Sequence, residues 1–320
     1  MNAFSPETDF RKEIVVLGVS AFLMAISASY IPFFGLLLAS LSPAPLIILF
    51  FFLGRKAGLL VASVIFGAIS LFLGTAFGAL FILQYGVLGL VIGEAIRMNY
   101  SVMRILSLGS AVPPFVWFVV LGIFLVGSGA SLFTVVETVI QANIENTIQL
   151  YKNAGLDFKH LEIIKREPSA ISRLVIGALP SVLLISSFFS AFINYSLARW
   201  AVKKRYGIKW RRVQALKEFL IPDYLVWGLI LGAFLTLASP GVLRLLGVNT
   251  SLVMLILYCV QGFAVVSFFL NKWGFSSPAK IFVYFILGIQ PLTLILVTVL
   301  GLFDIWLDIR KIRANKPEVV

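Results

Sequence analysis

Long runs of apolar residues dominate this chain of 320 residues. A helix that crosses a bilayer needs about 20 mostly apolar residues, because every backbone N–H and C=O in the hydrocarbon must be paired within its own segment. We identify nine such segments: 14–31, 33–53, 57–76, 78–96, 105–127, 171–199, 222–239, 250–270 and 280–303. Pro32, Pro43 and Pro45 interrupt the first two, so eight to ten helices are compatible with the sequence. The sequence therefore predicts an all-α polytopic transmembrane helix bundle.

Composition excludes the other broad classes of protein. The chain is 60% hydrophobic and 12% charged, with a mean hydropathy of +1.02, so it is too apolar for a soluble domain or a disordered chain. A single cysteine excludes a disulfide framework and a cysteine-built metal site. In a soluble domain the net charge of +12 would suggest nucleic-acid binding. In a membrane protein the basic residues instead indicate which loops lie on the cytoplasmic side. We therefore expect the lipid bilayer, and no nucleic acid, as a partner.

Basic residues predict the orientation, because cytoplasmic loops carry more Lys and Arg than exported ones. The strongest block lies between the sixth and seventh predicted spans and consists of Arg199, Lys203, Lys204, Arg205, Lys209, Arg211, Arg212 and Lys217. Counting back along the chain puts more basic residues on the same side, namely Arg11, Lys12, Arg55, Lys56, Arg97 and Arg104. The N-terminus is then cytoplasmic, in a multi-pass membrane protein whose first span is an uncleaved anchor, with a cleaved signal peptide as the alternative. With nine crossings the basic tail at 310–316 would lie outside the cytoplasm, which contradicts the preference of basic residues for the cytoplasmic side unless one segment is re-entrant.

A polar stretch at 128–168 separates an N-terminal five-span part, 1–127, from a C-terminal four-span part, 169–320. Apolar residues recur in it at helical spacing: Leu132, Val135, Val136, Val139, Ile140, Ile144 and Ile148. Gly155 can end this helix, and Asp157 can cap a shorter one that Pro168 stops. The pattern predicts an extracytoplasmic amphipathic helical hairpin. It would be either an interfacial bridge between two spans or a lid over a substrate opening.

Residues for catalysis are scarce. The sole histidine, His160, lies in the predicted hairpin without a cysteine or a carboxylate cluster beside it, and Ser128 has no helix-borne histidine to activate it. We also find no carboxylate-rich motif that would bind magnesium and a diphosphate. The sequence therefore predicts a protein that is not an enzyme, with no cofactor and no metal site.

Polar side chains within the predicted spans are the candidate ligand-binding residues, because such groups are costly in hydrocarbon and usually face the bundle interior. They are Gln84, Glu94, Asn194, Gln261 and Gln290. Hydrogen bonds between helices are the alternative role for the amides. For Glu94 the alternative is an ion pair with Arg97, three residues later at the helix end. We assign Asp304 and Asp308, beyond the last span, to helix capping and lipid headgroup contact.

Three stretches of the C-terminal third carry a resemblance to a known family. They are Pro222-Asp223-Tyr224-Leu225-Val226-Trp227; then Leu257-Tyr258, Gln261-Gly262, Phe268-Phe269 and Trp273; and then Gly301-Leu302-Phe303-Asp304-Ile305-Trp306, followed by Asp308 and Arg310-Lys311. With these motifs the chain resembles the YybS-like family of bacterial polytopic membrane proteins, and the similarity extends over most of its length.

The N-terminal part has a second, more distant resemblance. Pro43 or Pro45 precedes an apolar helix, Gly54-Arg55-Lys56-Ala57-Gly58 follows at its cytoplasmic end, and two glycine-rich spans come next. This pattern is similar to the substrate-binding subunits of energy-coupling-factor vitamin transporters. The resemblance implies capture of a scarce small molecule and its delivery through a transmembrane coupling protein and two ATPases. It also implies that a small-residue face of the first helix, here Ala21 and Ala25, meets the coupling protein. The chain is longer than such a subunit by about three spans and the hairpin.

Two functions remain open from the sequence. The first is transport-related binding of a small solute within the helix bundle. The alternative is a non-catalytic membrane scaffold or assembly factor of the cell envelope, which would use the basic loop at 199–217 to meet anionic lipid or a cytoplasmic partner. A binding subunit should have a polar cavity between its helices, whereas a scaffold should have a dry core.

Overall fold

The computed structural model describes residues 10–31, 34–153, 168–211 and 216–311. In this part of the chain the regular elements are helices, and no strand occurs. The α-helices are α1 (Phe10–Tyr30), α2 (Phe34–Ser40), α3 (Pro43–Leu73), α4 (Thr75–Phe81), α5 (Val87–Arg97), α6 (Val102–Ser128), α7 (Leu132–Asn153), α8 (Pro168–Tyr206), α9 (Leu225–Ala238), α10 (Gly241–Lys272), α11 (Ser277–Ile289) and α12 (Pro291–Leu307). A π-helical turn, Ile82–Gly86, joins α4 to α5, and a 3₁₀ turn, Leu216–Glu218, precedes α9. The all-helical expectation is confirmed for these residues.

Six helices of the described residues are long and apolar enough to cross a membrane, or seven if the bent pair α11 and α12 forms one span. The nine predicted spans differ from this count at three places. Residues 33–53 and 57–76 fall in one 40-residue helical stretch, Phe34–Leu73. The apolar helix α9 has 14 residues, fewer than a span needs. The α11–α12 pair is bent by 105° at Gln290.

The Phe34–Leu73 stretch is not one straight rod. Forty residues of helix would measure about 60 Å, twice the hydrocarbon thickness. Gly54 has φ 76° and ψ 177°, which no helix contains. The Phe50 ring lies against Gly58, although residues eight apart in a straight helix are separated by about 12 Å along the axis. The chain therefore turns back at Gly54, and the positive φ explains why glycine occupies the turn.

Glycines fix how the first part of α3 packs on α5. A Cβ on Gly89 would lie 2.7 Å from the Leu46 Cβ, and one on Gly93 would lie 2.6 Å from the Phe50 Cβ. The Arg97 guanidinium meets Gly54 in the same register. Both residue numbers rise together by four, so the two helices run parallel. Small residues let their backbones approach closely, which is the main source of helix association in lipid.

The chain divides into two compact units, which we describe separately. The first unit is Met1–Ser131 with Val182–Val213, and the second is Leu132–Ser181 with Gln214–Val320. The first therefore holds the predicted five-span part and the C-terminal portion of α8. The predicted amphipathic stretch and the C-terminal helices fall in the second unit. Within the predicted hairpin, α7 is a single helix and the expected second helix lies outside the described residues.

Aromatic and ionic contacts anchor the basic segment after α8 to the first unit. The Trp210 ring is buried and packs edge-on against Phe51, with ring centroids 4.9 Å apart. Tyr195 donates a hydrogen bond from its hydroxyl to the Arg211 carbonyl at 2.6 Å. The buried carboxylate of Glu13 accepts from the Arg205 Nε at 3.0 Å. These contacts hold the basic segment against the ends of α1 and α3.

In the second unit α10 is the central helix. It packs on α12 so closely that a Cβ on Gly301 would meet the Tyr258 carbonyl. At its other end, Asn249 forms hydrogen bonds with α8 beside Pro180. Its amide nitrogen donates to the Gly177 carbonyl at 2.6 Å, and its oxygen accepts from the Ser181 N–H at 2.8 Å. The Asn249 side chain thus replaces the backbone hydrogen bond between these two residues next to Pro180.

Replacing Gly93 by alanine tests the parallel packing of α3 on α5. The new Cβ would lie 2.6 Å from the Phe50 Cβ, and we expect the Gly93→Ala variant to lose about 1–3 kcal/mol of stability through overpacking. Gly67→Ala is the matched control because a Cβ there meets nothing within 4 Å. It should be neutral or stabilised by up to about 1 kcal/mol, since alanine favours helices. Equal thermal stabilities of the two variants in detergent would contradict the packing.

Candidate functional site

Gln84 lies on the π-helical turn between α4 and α5 in the first unit. A π-helical turn inserts one residue into the helical ladder and displaces its hydrogen bonds, and such turns occur frequently at functional sites. Gln84 is exposed as a whole residue, and it is also one of the residues that line a cavity between helices.

Two adjacent prolines, Pro113 and Pro114, form the facing wall of this cavity from α6. Both are buried. Proline has no N–H, so the carbonyls of Gly109 and Ser110 lose their ordinary helical donors. A second irregular helix therefore faces the π-helical turn across the same space.

The remaining wall comes from α8. The described residues that line the cavity are Leu83, Gln84, Leu88, Pro113, Pro114, Trp117, Leu183, Ser186, Ser187 and Ser190. Its volume is about 20 Å³, which is enough for one water molecule. The Trp117 Nε1 is buried and has no hydrogen-bond partner among the described residues. This N–H is a free donor beside the cavity.

Asn194 lies one turn of α8 beyond Ser190, the last lining residue of this helix. It is fully buried, and its amide nitrogen donates to the Ser190 carbonyl at 2.9 Å and to the Ser40 carbonyl at 3.0 Å. The Ser40 carbonyl needs this donor because α2 ends there before Pro43 begins α3. The Asn194 Oδ1 and the Ser42 Oγ are buried without a partner among the described residues. The Asn194 nitrogen therefore has a structural role, whereas its oxygen is an acceptor without a partner among the described residues.

This polar cluster offers neutral hydrogen-bonding groups. Donors beside the cavity are the Trp117 N–H and the hydroxyls of Ser187 and Ser190, and the Asn194 Oδ1 is an acceptor one helical turn beyond Ser190. No charged residue occurs among the described residues that line the cavity. The arrangement suits a neutral polar molecule, because an unpaired ion in such surroundings would lose its hydration without a counter-charge.

Glu94 does not join this cluster. It lies ten residues beyond Gln84, about 15 Å along the helix, and its carboxylate accepts from the Arg97 Nη1 at 3.0 Å. The Arg97 guanidinium also contacts Gly54 at the turn of α3. The structure thus has the helix-end ion pair that was one of the two alternatives for Glu94.

Gln261 lies in the second unit, within a fully buried network. Its side-chain oxygen accepts from the Ile221 N–H at 2.9 Å, and its nitrogen donates to the Asp304 Oδ2 at 3.1 Å. The same Oδ2 is 2.7 Å from the Arg310 Nη2. Arg310 also donates from Nη1 to the carbonyls of Lys217 and Phe219, each at 2.9 Å. Gln261 therefore supports the chain before α9 and has one hydrogen bond on each end of its amide.

The assignment of Asp304 to headgroup contact is wrong. Its side chain is 1% exposed and that of Arg310 is 0% exposed. The two residues are six apart, a spacing that does not share a helix face. They meet because Asp308 takes a left-handed conformation, with φ 38°, that ends α12 and turns the chain back. The Asp304 Oδ1 and the Tyr258 hydroxyl are buried without a partner among the described residues.

The other predicted residues lie apart. Gln290 is exposed at the bend between α11 and α12. Ala21 is fully buried against α3, in a cluster that contains Leu46 and Phe50, and Ala25 packs on the same cluster. The face of α1 predicted to meet a partner thus packs inside the first unit. Ala21 leaves no surface for a partner to touch.

The comparison with known proteins gives a family. Residues 18–305 match the model of the family described as predicted membrane protein (DUF2232). Because this match covers most of the chain, the protein belongs to that family. No curated protein and no solved structure matches the chain significantly.

The buried ion pair of the second unit gives a testable stability prediction. Arg310→Leu leaves the Asp304 carboxylate buried without its counter-charge, which typically costs about 3–5 kcal/mol. Replacing both Asp304 and Arg310 by leucine should restore part of this loss. Arg97→Leu, which breaks a pair whose arginine is 42% exposed, should cost less than about 1 kcal/mol. Thermal unfolding in detergent measures all three, and a double variant less stable than Arg310→Leu would contradict the network.

Proposed function

We propose that this member of the predicted membrane protein family binds a small neutral polar solute in the cavity of its first unit, as the solute-binding part of a transport system. The observation that supports the proposal most is the convergence of two irregular helix segments on one polar cavity. These segments are the π-helical turn with Gln84 and the proline pair of α6.

Irregular backbone at membrane depth supports a cavity that holds water or a ligand. Non-helical backbone within the hydrocarbon region is tolerated only where protein buries it or where it lines a water-filled space. Interrupted helices surround the substrate in many transporters for this reason. The unused hydrogen-bonding atoms of Trp117 and Asn194 add to this support, because an unpaired buried polar group costs roughly 1–3 kcal/mol. A ligand that pairs them would remove that cost.

The cavity volume of about 20 Å³ belongs to a closed form of the site. Small-molecule sites in proteins usually measure roughly 300–1,000 Å³. Solute entry therefore requires the walls to separate. The π-helical turn and the proline pair supply walls with fewer backbone hydrogen bonds than regular helices, so they move at lower cost.

The proposal includes a topology and partners. We place the N-terminus in the cytoplasm of a bacterial cell and the protein in its inner membrane with eight crossings, counting the short helix α9, and we assign it no catalytic role. The bent pair α11–α12 is then re-entrant, because Arg310 after α12 donates to the carbonyls of Lys217 and Phe219 on the cytoplasmic side. The turn of the chain at Gly54 supports two crossings within Phe34–Leu73. The resemblance to energy-coupling-factor subunits favours a transmembrane coupling protein and ATPases as partners. Because Ala21 is buried, they would meet the exposed face of α1 that carries Val15, Val19 and Leu23.

A scaffold role is the second candidate. It is favoured by the exposed basic residues at one end of the first unit, where Glu13 and Glu94 are already paired by arginines. These basic residues include Arg55, Lys56, Lys203, Lys204, Lys209 and Arg211. Such a surface suits an anionic lipid or an acidic partner. The two functions differ in whether the polar cavity is needed.

A cavity-filling substitution tests the solute site. We expect Ser187→Leu to abolish co-purification of a small molecule with the gently solubilised protein, as measured by mass spectrometry, because the larger side chain occupies the cavity. Ser63→Leu, at an exposed position of α3, is the matched control and should retain the molecule. A wild-type protein that carries proteins but no small molecule, in repeated preparations, would support the scaffold instead.

Cysteine labelling tests the orientation. Cys259 would be replaced by serine, and one cysteine introduced either at Ala130, after α6, or at Lys204, near the end of α8. In intact cells a membrane-impermeant maleimide should label the Ala130→Cys variant and not the Lys204→Cys variant. Labelling of the second variant alone would invert the proposed topology.

A further inference from the structure

The second unit has an open surface cavity that the proposed function does not use. Its volume is about 430 Å³, within the range of small-molecule sites. The described residues that line it are Lys217, Glu218, Phe268, Asn271 and Lys272. Four of the five are polar or charged, and the fifth is aromatic.

Positive charge is in excess around this cavity. Lys217 and Lys272 are exposed, and each contributes an ammonium group to the lining. Lys280 adds a third ammonium group, because its Nζ lies 2.7 Å from the Asn271 Oδ1. Glu218 is the one carboxylate among the described lining residues. A ligand with a negative charge is therefore attracted to this cavity more than a neutral one.

The walls are held in place by hydrogen bonds. Arg310 donates to the backbone carbonyls of Lys217 and Phe219, each at 2.9 Å. The Asn271 amide donates to the Ser267 carbonyl at 2.6 Å. The cationic loop and the end of α10 are thus fixed before any ligand arrives, which lowers the entropy lost on binding.

One wall is apolar. Phe268 lines the cavity and packs edge-on against Phe269, whose ring in turn lies 5.4 Å from that of Trp273. An aromatic wall beside ammonium groups fits a ligand that carries an anionic group and an apolar portion. Phosphate meets the charge requirement with several acceptor oxygens.

We propose that this cavity binds a phosphate-bearing amphiphile, with the phosphate between Lys217 and Lys272 and the apolar portion against Phe268. The phosphate is either the diester of an anionic phospholipid headgroup or the monoester of a small soluble molecule. The cavity distinguishes this site from the basic residues at the end of α8. Lys203 and Lys204 are exposed on a helix and line neither of the two cavities described.

Native mass spectrometry and thermal unfolding of the full-length protein in detergent test the proposal. One arm titrates phosphatidylglycerol against phosphatidylcholine, and the other titrates phenyl phosphate against phenol. We expect one of the two phosphate probes to bind and stabilise the wild type. Replacing Lys217 and Lys272 by glutamine should weaken that binding at least about fivefold, whereas Glu218→Gln should strengthen it.

The control variant loses the same number of positive charges at residues that line no cavity. Arg173 and Arg244, which are exposed and line neither cavity, replaced together by glutamine should leave the affinity for the probe unchanged. Binding of phosphatidylglycerol alone identifies a lipid site, and binding of phenyl phosphate identifies a soluble phosphate ester. Failure of both probes, or an equal loss of affinity in the Arg173 and Arg244 variant, would overturn the proposal.

Discussion

Every backbone N–H and C=O that a helix leaves unpaired in the hydrocarbon needs a partner from the protein, and the described structure meets this requirement with a few buried side chains. Asn194 donates to the free carbonyl at the end of α2, and Asn249 bonds to the Gly177 carbonyl and the Ser181 N–H beside Pro180 in α8. Gln261 accepts from the chain before α9, and Arg310 donates to two carbonyls of the same segment. Polar residues within the predicted spans are thus first of all substitutes for backbone partners.

This requirement separates structural amides from candidate ligand-binding ones. Gln261 has a protein partner at each end of its amide, so both of its polar atoms already stabilise the fold. Within the described part of the chain, the Asn194 oxygen has no partner, and neither has the Trp117 N–H beside the cavity. The first unit therefore has the spare hydrogen-bonding capacity that a neutral solute requires. In the second unit the buried ion pair instead holds the wall of a cationic surface cavity.

Hydropathy predicted the helices well because the length of an apolar run reports directly on burial in lipid. It also marked Gln84 and Asn194, since amides in apolar runs are conspicuous. The sequence could not show that Asp304 and Arg310 meet, because their contact depends on the left-handed turn at Asp308. Trp117 and the serines of α8 were missed, because in a membrane span such residues also occur as ordinary packing and interfacial groups. The proline pair of α6 was visible in the sequence and would have indicated the irregular wall.

The central claim is that the cavity between the π-helical turn, α6 and α8 holds a solute. An experimental density map of the protein purified without added ligand tests it most directly. The account predicts a wider cavity with density for a small molecule within hydrogen-bonding distance of Gln84, Trp117 and Ser190. A map in which these side chains close on one another around a single water, in every preparation and with every solute supplied, would contradict it.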